Sequence, residues 1–164
     1  MLLRLAGLHD LDALVDLQHV GAVRGLGHIF PQEDYPFPRD QIHARWIAEI
    51  AHPDIDVYVV EHTGVISGFA ATRGNELLHF GTAVDTWGTG LAVAVHDEIL
   101  VHLAAAGHSL VRLRVFEENH RAISFYRKLG WRPTGARSTT SFPPHPVLVE
   151  YELSLGDHEP NPNR

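Results

Sequence analysis

The chain has 164 residues, 45% hydrophobic and 20% charged, with a formal net charge of −7, thirteen histidines and no cysteine. A length of this order suits one domain with a core of its own, and the absence of thiols excludes disulfides and thiolate metal ligands. The acidic balance argues against a general nucleic-acid binder, which carries a basic face. An acidic surface attracts a cationic amine, although the same charge equally serves solubility.

In chain order, the opening MLLRLAGLHDLDAL is interrupted by Arg4, His9, Asp10 and Asp12, so it reads as a strand followed by a helix and not as a signal peptide. Leu2 to Leu5 form the strand, and Leu8, Leu11, Leu14, Val15 and Leu17 recur at helical spacing. Residues 21–38 (GAVRGLGHIFPQEDYPFP) predict a broken helix and a loop, and a second helix is expected from Arg39 to Ile50, ending before Pro53. Two strands, Asp56–Glu61 and Val65–Thr72, flank His62-Thr63-Gly64 as a hairpin, and a further strand runs from Glu76 to Ala83. A long helix begins near Gly88 and stops at Gly107, with Leu91, Val95, Ile99 and Leu103 as its buried stripe. A strand at Leu110–Val115 leads into a helix at Asn119–Leu129, stopped by Gly130. Trp131–Ala136 and Val147–Leu153 read as closing strands joined by a proline-rich loop, and the polar tail 156–164 is expected to be disordered. The order is mixed α/β, one twisted sheet covered by helices, in a single domain over residues 1–155.

No stretch is long and apolar enough to cross a bilayer, so no membrane partner is expected and the cytoplasm is the default location. The closest histidines, His96, His102 and His108, are six residues apart, which is not one helical face, so no metal is expected.

Two segments carry chemistry. The first, Val84 to Ala92, joins a strand to the long helix, and its Gly88 and Gly90 let backbone amides approach a ligand at a positively polarised helix start. That is a phosphate site or simply a tight turn. It is not a P-loop, because no lysine follows the glycines, and Val93 stands where a dinucleotide fingerprint needs a third glycine. The second segment, Asn119 to Trp131, sets Ala122, Phe125, Tyr126 and Leu129 on one helical face. Alone it reads as a capped helix with core aromatics.

Together the segments resemble the GNAT N-acetyltransferase superfamily. That family's loop pattern, Gln/Arg-x-x-Gly-x-Gly/Ala, corresponds to Trp87-x-x-Gly90-x-Ala92, and its later Asn-x-x-Ala-x-x-Phe-Tyr-x-x-x-Gly-Phe to Asn119, Ala122, Phe125, Tyr126, Gly130 and Trp131. The resemblance implies a mixed, mostly antiparallel sheet of about six or seven strands with a central parallel pair and helices on both faces. It implies acetyl-coenzyme A as acyl donor and an amine, of a small molecule or a peptide, as acceptor. The loop from Trp87 through Gly88, Thr89, Gly90 and Leu91 to Ala92 would hold the pyrophosphate. Thr82, Ala83, Val84, Asn119, Ala122, Phe125 and Tyr126 complete the implied cofactor contacts, with the pantetheine arm between splayed strands. Tyr126 would protonate the departing thiolate. A strand N–H near Phe80–Thr82 would stabilise the oxyanion.

Direct attack by the amine agrees with the absence of cysteine. Glu76 and His79, on the strand before the loop, are the candidate bases, and either could instead be an ordinary surface residue. His28, Phe30, Tyr35 and Phe37 are the candidate acceptor contacts, whereas Trp46 is expected in the core. Trp87 departs from the pattern, since tryptophan offers only its indole N–H where Arg or Gln is preferred. Coenzyme binding is expected to survive there with altered affinity. A homodimer is plausible by analogy. The alternatives are a GNAT-fold acyl-coenzyme A sensor without activity and a nucleotide-dependent oxidoreductase, which the second segment opposes.

Overall fold

In the computed structural model, which describes residues 1–156, β1 (Leu3–Leu5) is followed by a short 3-10 turn and α1 (Leu11–Leu26). After α2 (Arg39–Ala51) come three strands, β2 (Ile55–His62), β3 (Val65–Arg73) and β4 (Glu76–Thr82). The second half comprises α3 (Leu91–Ala105), β5 (Leu110–Phe116), α4 (His120–Lys128), β6 (Arg132–Thr139) and β7 (Val147–Ser154). They form one seven-stranded sheet in the order β1-β2-β3-β4-β5-β7-β6. Every neighbouring pair is antiparallel except β4 and β5, which are parallel. This is the mixed fold the sequence predicts. The tail expected to be disordered falls outside the described residues, apart from Gly156.

Local chemistry explains the joints. Thr63 and Gly64 both have positive φ, 53° and 76°, a turn whose twist matches that of the hairpin strands it joins. At the other end of the chain half, Asp10 is buried and accepts from both terminal nitrogens of Arg4, each at 2.8 Å, and from the N–H of Gly7. The Arg4 contact outweighs burial and holds the Asp10 carboxyl down at about 2.

Each face of the sheet has its own apolar cluster. Leu91, Val95, Ile99 and Leu103 of α3 pack with Leu77, Val111, Leu113, Tyr126 and Trp131 on one face. On the other, Leu14 and Val15 of α1 and Ile42 and Trp46 of α2 pack on Val57, Val59, Phe69 and Ala71. Trp46 is fully buried, as expected of a core residue.

Two expectations need correction. The first helix does not break at Gly21; it continues to Leu26. Glycine lowers helix propensity without forbidding the helix, and Gly25 lies beside the Trp87 ring, which a Cβ there would meet at 3.4 Å, close to ordinary contact. In the last quarter, Trp131 precedes its strand instead of belonging to it, and β6 extends to Thr139 with every residue exposed. Exposure removes the alternating pattern from which strand bounds are read.

Two irregularities in β4 position the site. Its ladder with β3 pairs His79 with Ala71 but Leu77 with Thr72, so Leu78 is an extra residue. This bulge resets the alternation: Leu78 and His79 face α1 and α2, while Leu77 and Phe80 face α3 and α4. On its other edge β4 pairs with β5 only at Glu76↔Arg112 and Leu77↔Leu113. Beyond Leu77 the two strands diverge, and β5 stays paired with β7 along its whole length.

Candidate active site

The loop from Ala83 to Gly90 begins where β4 ends, at the open end of the divergence. Thr82 is buried, and the N–H of Ala83 donates to Ser67 O, which anchors the start of the loop to β3. A single 3-10 turn over Val84–Thr86 then redirects the chain. Gly88 and Gly90 take φ values of 79° and 89°, a region that L side chains disfavour by about 1–2 kcal/mol. Within the described residues, the N–H groups of Gly88, Gly90, Ala92 and Val93 have no protein acceptor, and that of Leu91 has only Thr89 Oγ1 at 3.4 Å. A helix start leaves such donors free and carries partial positive charge. The arrangement can bind an anion.

Trp87 is oriented by three neighbours. Its indole N–H donates to Thr82 O at 3.1 Å, so the one donor expected of it is spent inside the loop. Its far edge lies against Gly25 of α1, and the Arg121 guanidinium carbon of α4 sits 3.4 Å from its ring centroid.

Across the divergence, Asn119 caps α4, its Oδ1 accepting from the N–H of Ala122 at 3.2 Å. The cap leaves the Asn119 amide NH2 available as a donor. Phe125 lies between Phe80 of β4 and His96 of α3, with ring centroids 6.1 and 5.9 Å away. Tyr126 is buried against Phe125 and Trp131, and burial raises its phenol above the ordinary value, which keeps it a proton donor. Beneath it, the Trp131 indole donates to His96 Nε2 at 3.0 Å. His96 is buried, and burial pushes its imidazole below the ordinary value.

The two carboxylate and imidazole candidates on β4 part company. Glu76 is at the paired end of the strand, and its oxygens lie 3.2 Å from Arg114 Nε and 3.7 Å from Arg112. His79, past the bulge and beyond the last β4–β5 pair, faces α2, where its Nε2 is 3.0 Å from both oxygens of Glu49. A carboxylate only accepts, so Nε2 carries the proton and Nδ1 is the acceptor in the neutral ring. Trp46 meets the imidazole edge-on at 4.9 Å between centroids. Burial pulls the Glu49 carboxyl up, but the hydrogen bond from His79 and the charges of His79, Arg45 and Arg73 outweigh it, and the group sits below the ordinary value. Arg45 joins this cluster from α2, its guanidinium flanked by Trp46 and by Phe142 of the β6–β7 loop.

The early aromatic residues split into two groups. His28 Nε2 donates to Glu118 O at 2.8 Å and Phe30 packs edge-on against Phe116, so the α1–α2 loop crosses to the end of β5. Phe37 instead stacks on His19 of α1, and Tyr35 is half-buried in the loop, whose backbone Gln32 ties together at Phe30, Tyr35 and Phe37.

This geometry coincides with a family profile. The profile of the Acetyltransferase (GNAT) family matches residues 22–131. The chain belongs to the GNAT acetyltransferase family. A GCN5-related N-acetyltransferase from Rhodopseudomonas palustris has the same fold, with a TM-score of 0.74 at 18% identity over 93% of this chain and 94% of its own. Spermidine N-acetyltransferase from Vibrio cholerae, solved with CoA and spermine, gives 0.68 at 16% identity over 93% and 94%. The yncA protein of Salmonella typhimurium, solved with acetyl-CoA, gives 0.66 at 18% over 96% and 95%. No curated protein matches the sequence. Among the described residues no cluster of three or more His, Asp or Glu side chains could hold a metal ion, and no helix is long and apolar enough to cross a membrane.

Sequence reasoning missed Glu49, Arg45 and Arg121. Glu49 precedes His79 by thirty residues on another element, and nothing in local spacing joins them. Arg121 falls at an unspecified position of the second motif, so only its neighbour in space marks it out.

Proposed function

We propose that this GNAT acetyltransferase moves the acetyl group of acetyl-coenzyme A to the amine of an acceptor, by direct attack in a ternary complex. The observation that carries the reading is the divergence of β4 from β5 after Leu77 and Leu113, opening at a glycine loop with unengaged amides. An extended amide-bearing arm fits two facing strand edges that have lost each other as partners. Its diphosphate fits the N–H groups at Gly88, Gly90, Ala92 and Val93. Residues present therefore suit the coenzyme, which supplies an activated thioester.

The chain's own groups account for the remaining chemistry. Asn119 donates its amide NH2 to the arm. N–H groups of β4 at Phe80–Thr82, on the edge facing β5, are donors for negative charge growing on the acyl oxygen. Tyr126, kept protonated by burial, gives its proton to the thiolate as the C–S bond breaks. On the acceptor side, His79 Nδ1 takes the proton that the amine nitrogen loses as it bonds to the acyl carbon, directly or through one water. Glu49 holds the ring by Nε2 and stabilises the resulting imidazolium. We assign this role to His79 over Glu76, because Glu76 is engaged by Arg112 and Arg114.

His28, Phe30, Tyr35 and Phe37 remain the candidate acceptor contacts, on a loop that reaches over the divergence. The test is thermal unfolding with acetyl-coenzyme A, with NAD and ATP as controls, followed by an amine screen with mass-spectrometric detection of acetylated product. A melting-temperature rise specific to the coenzyme, with transfer to an amine, supports the reading. Binding without transfer to any amine leaves an acyl-coenzyme A binding protein, and no binding removes the proposal.

A further inference from the structure

The Trp87–Arg121 stack is not explained by folding alone. At 3.4 Å from the ring centroid, the guanidinium lies flat on the indole, with its in-plane N–H groups directed outward. The platform itself is fixed: Trp87 donates to Thr82 O, and its edge abuts Gly25. No carboxylate among the described residues pairs with Arg121. Of the acids nearest to it on the chain, Glu117 is bound bidentately by Arg137, and Glu118 lies 3.4 Å from His120 Nε2. In a chain of net charge −7, a cation without an acidic partner is thus stacked on the residue that precedes Gly88, where loop amides also lack acceptors. Partial burial lowers the Arg121 pKa, so its charge is poorly hydrated and favours an anionic partner.

Resting on the coenzyme A reading above, we infer that Arg121, held flat by Trp87, is a binding residue for the diphosphate of coenzyme A. Loop amides and guanidinium then approach the diphosphate from the β4 side and the α4 side together. A planar guanidinium bonds phosphate oxygens in pairs, which a tryptophan at the start of the loop cannot do. The cation that position 87 does not provide comes from α4, and the indole serves as its support.

The test is calorimetric titration of the wild-type protein and Arg121→Ala with acetyl-coenzyme A, its 3′-dephospho form and S-acetylpantetheine, which has no phosphate. Arg121→Ala should weaken both coenzyme forms by about ten- to thirty-fold, and S-acetylpantetheine by less than about two-fold. Trp87→Ala should give the same pattern with a smaller loss, and Arg121→Lys an intermediate one. The slope of log affinity against log salt should also be shallower in Arg121→Ala. An equal loss for all three ligands makes the stack merely structural and overturns the inference. A loss confined to the 3′-phosphorylated form moves the contact to the other phosphate and overturns the diphosphate assignment. Unchanged or tighter binding by Arg121→Ala overturns it as well. If the wild-type protein binds none of the three, the coenzyme A reading itself fails, independently of Arg121.

Discussion

On the α3–α4 face of the sheet the candidate cofactor site is made mostly of main chain, from the β4 edge and the loop amides around Gly88 and Gly90. On the α1–α2 face the candidate proton-handling site is made of side chains, His79 held by Glu49 with Arg45 and Trp46 around them. A main-chain site depends mostly on backbone shape, so side-chain changes should disturb it less, the proposed Trp87–Arg121 contact being its one side-chain contribution at the loop. A side-chain site has no such tolerance, because each group is its own function. The same difference governs what a reader of the sequence can find.

The contrast can be broken by variants that affect one face and not the other. The largest effect is expected from His79→Ala, which should lower kcat by about a hundred-fold while the Kd for acetyl-coenzyme A stays unchanged. A parallel loss of coenzyme affinity, read by calorimetry, would mean that the faces are not separate. Tyr126→Phe keeps the packing against Phe125 and Trp131. It should reduce kcat by about ten- to fifty-fold, again without weakening the coenzyme. Conversely, Gly90→Ala forces a side chain to φ 89° and should raise the Kd for acetyl-coenzyme A about ten-fold, leaving kcat at saturation close to wild type.

The smallest effect concerns stability against pH. His96 sits lower in the native state than its ordinary 6.5, so between those values the unfolded chain binds the extra proton. Its contribution is fully present above 6.5 and is lost as pH falls through the native value. His96→Gln should flatten that part of the melting-temperature profile. Asp10, lowered from 3.8 to about 2, acts in a separate window, stabilising above 3.8 and losing that contribution as pH falls to about 2.

Periodic, local features were legible in the sequence. The four-residue stripe from Leu91 to Leu103, the turn at Thr63–Gly64 and the cap at Asn119 each announce themselves within one element, and each is present. The fold follows from their order. Of the candidate site, the glycine loop and the motif helix were legible as backbone features. It was illegible where register decides: one extra residue at Leu78 turns His79 toward α2, and no alternation count foresees a bulge. Contacts between distant elements, such as His28 with Glu118 or Arg121 with Trp87, were hidden for the same reason. The first helix outran its expected end because Gly21 and Gly25 read as punctuation, whereas both continue the helix to Leu26.

The two-residue pairing between β4 and β5 has a mechanical consequence. Backbone hydrogen bonding across the middle of the sheet is nearly interrupted there, and the two halves are joined by that short seam, by the connecting chain and by the side chains packed over it. A ligand lying in the seam would act as mortar, giving both strand edges a partner. Amide hydrogen exchange should then slow on both sides of the seam when the ligand binds, in β4 from Leu78 onward and at the facing end of β5, while β1 and β6 at the outer margins keep their rates.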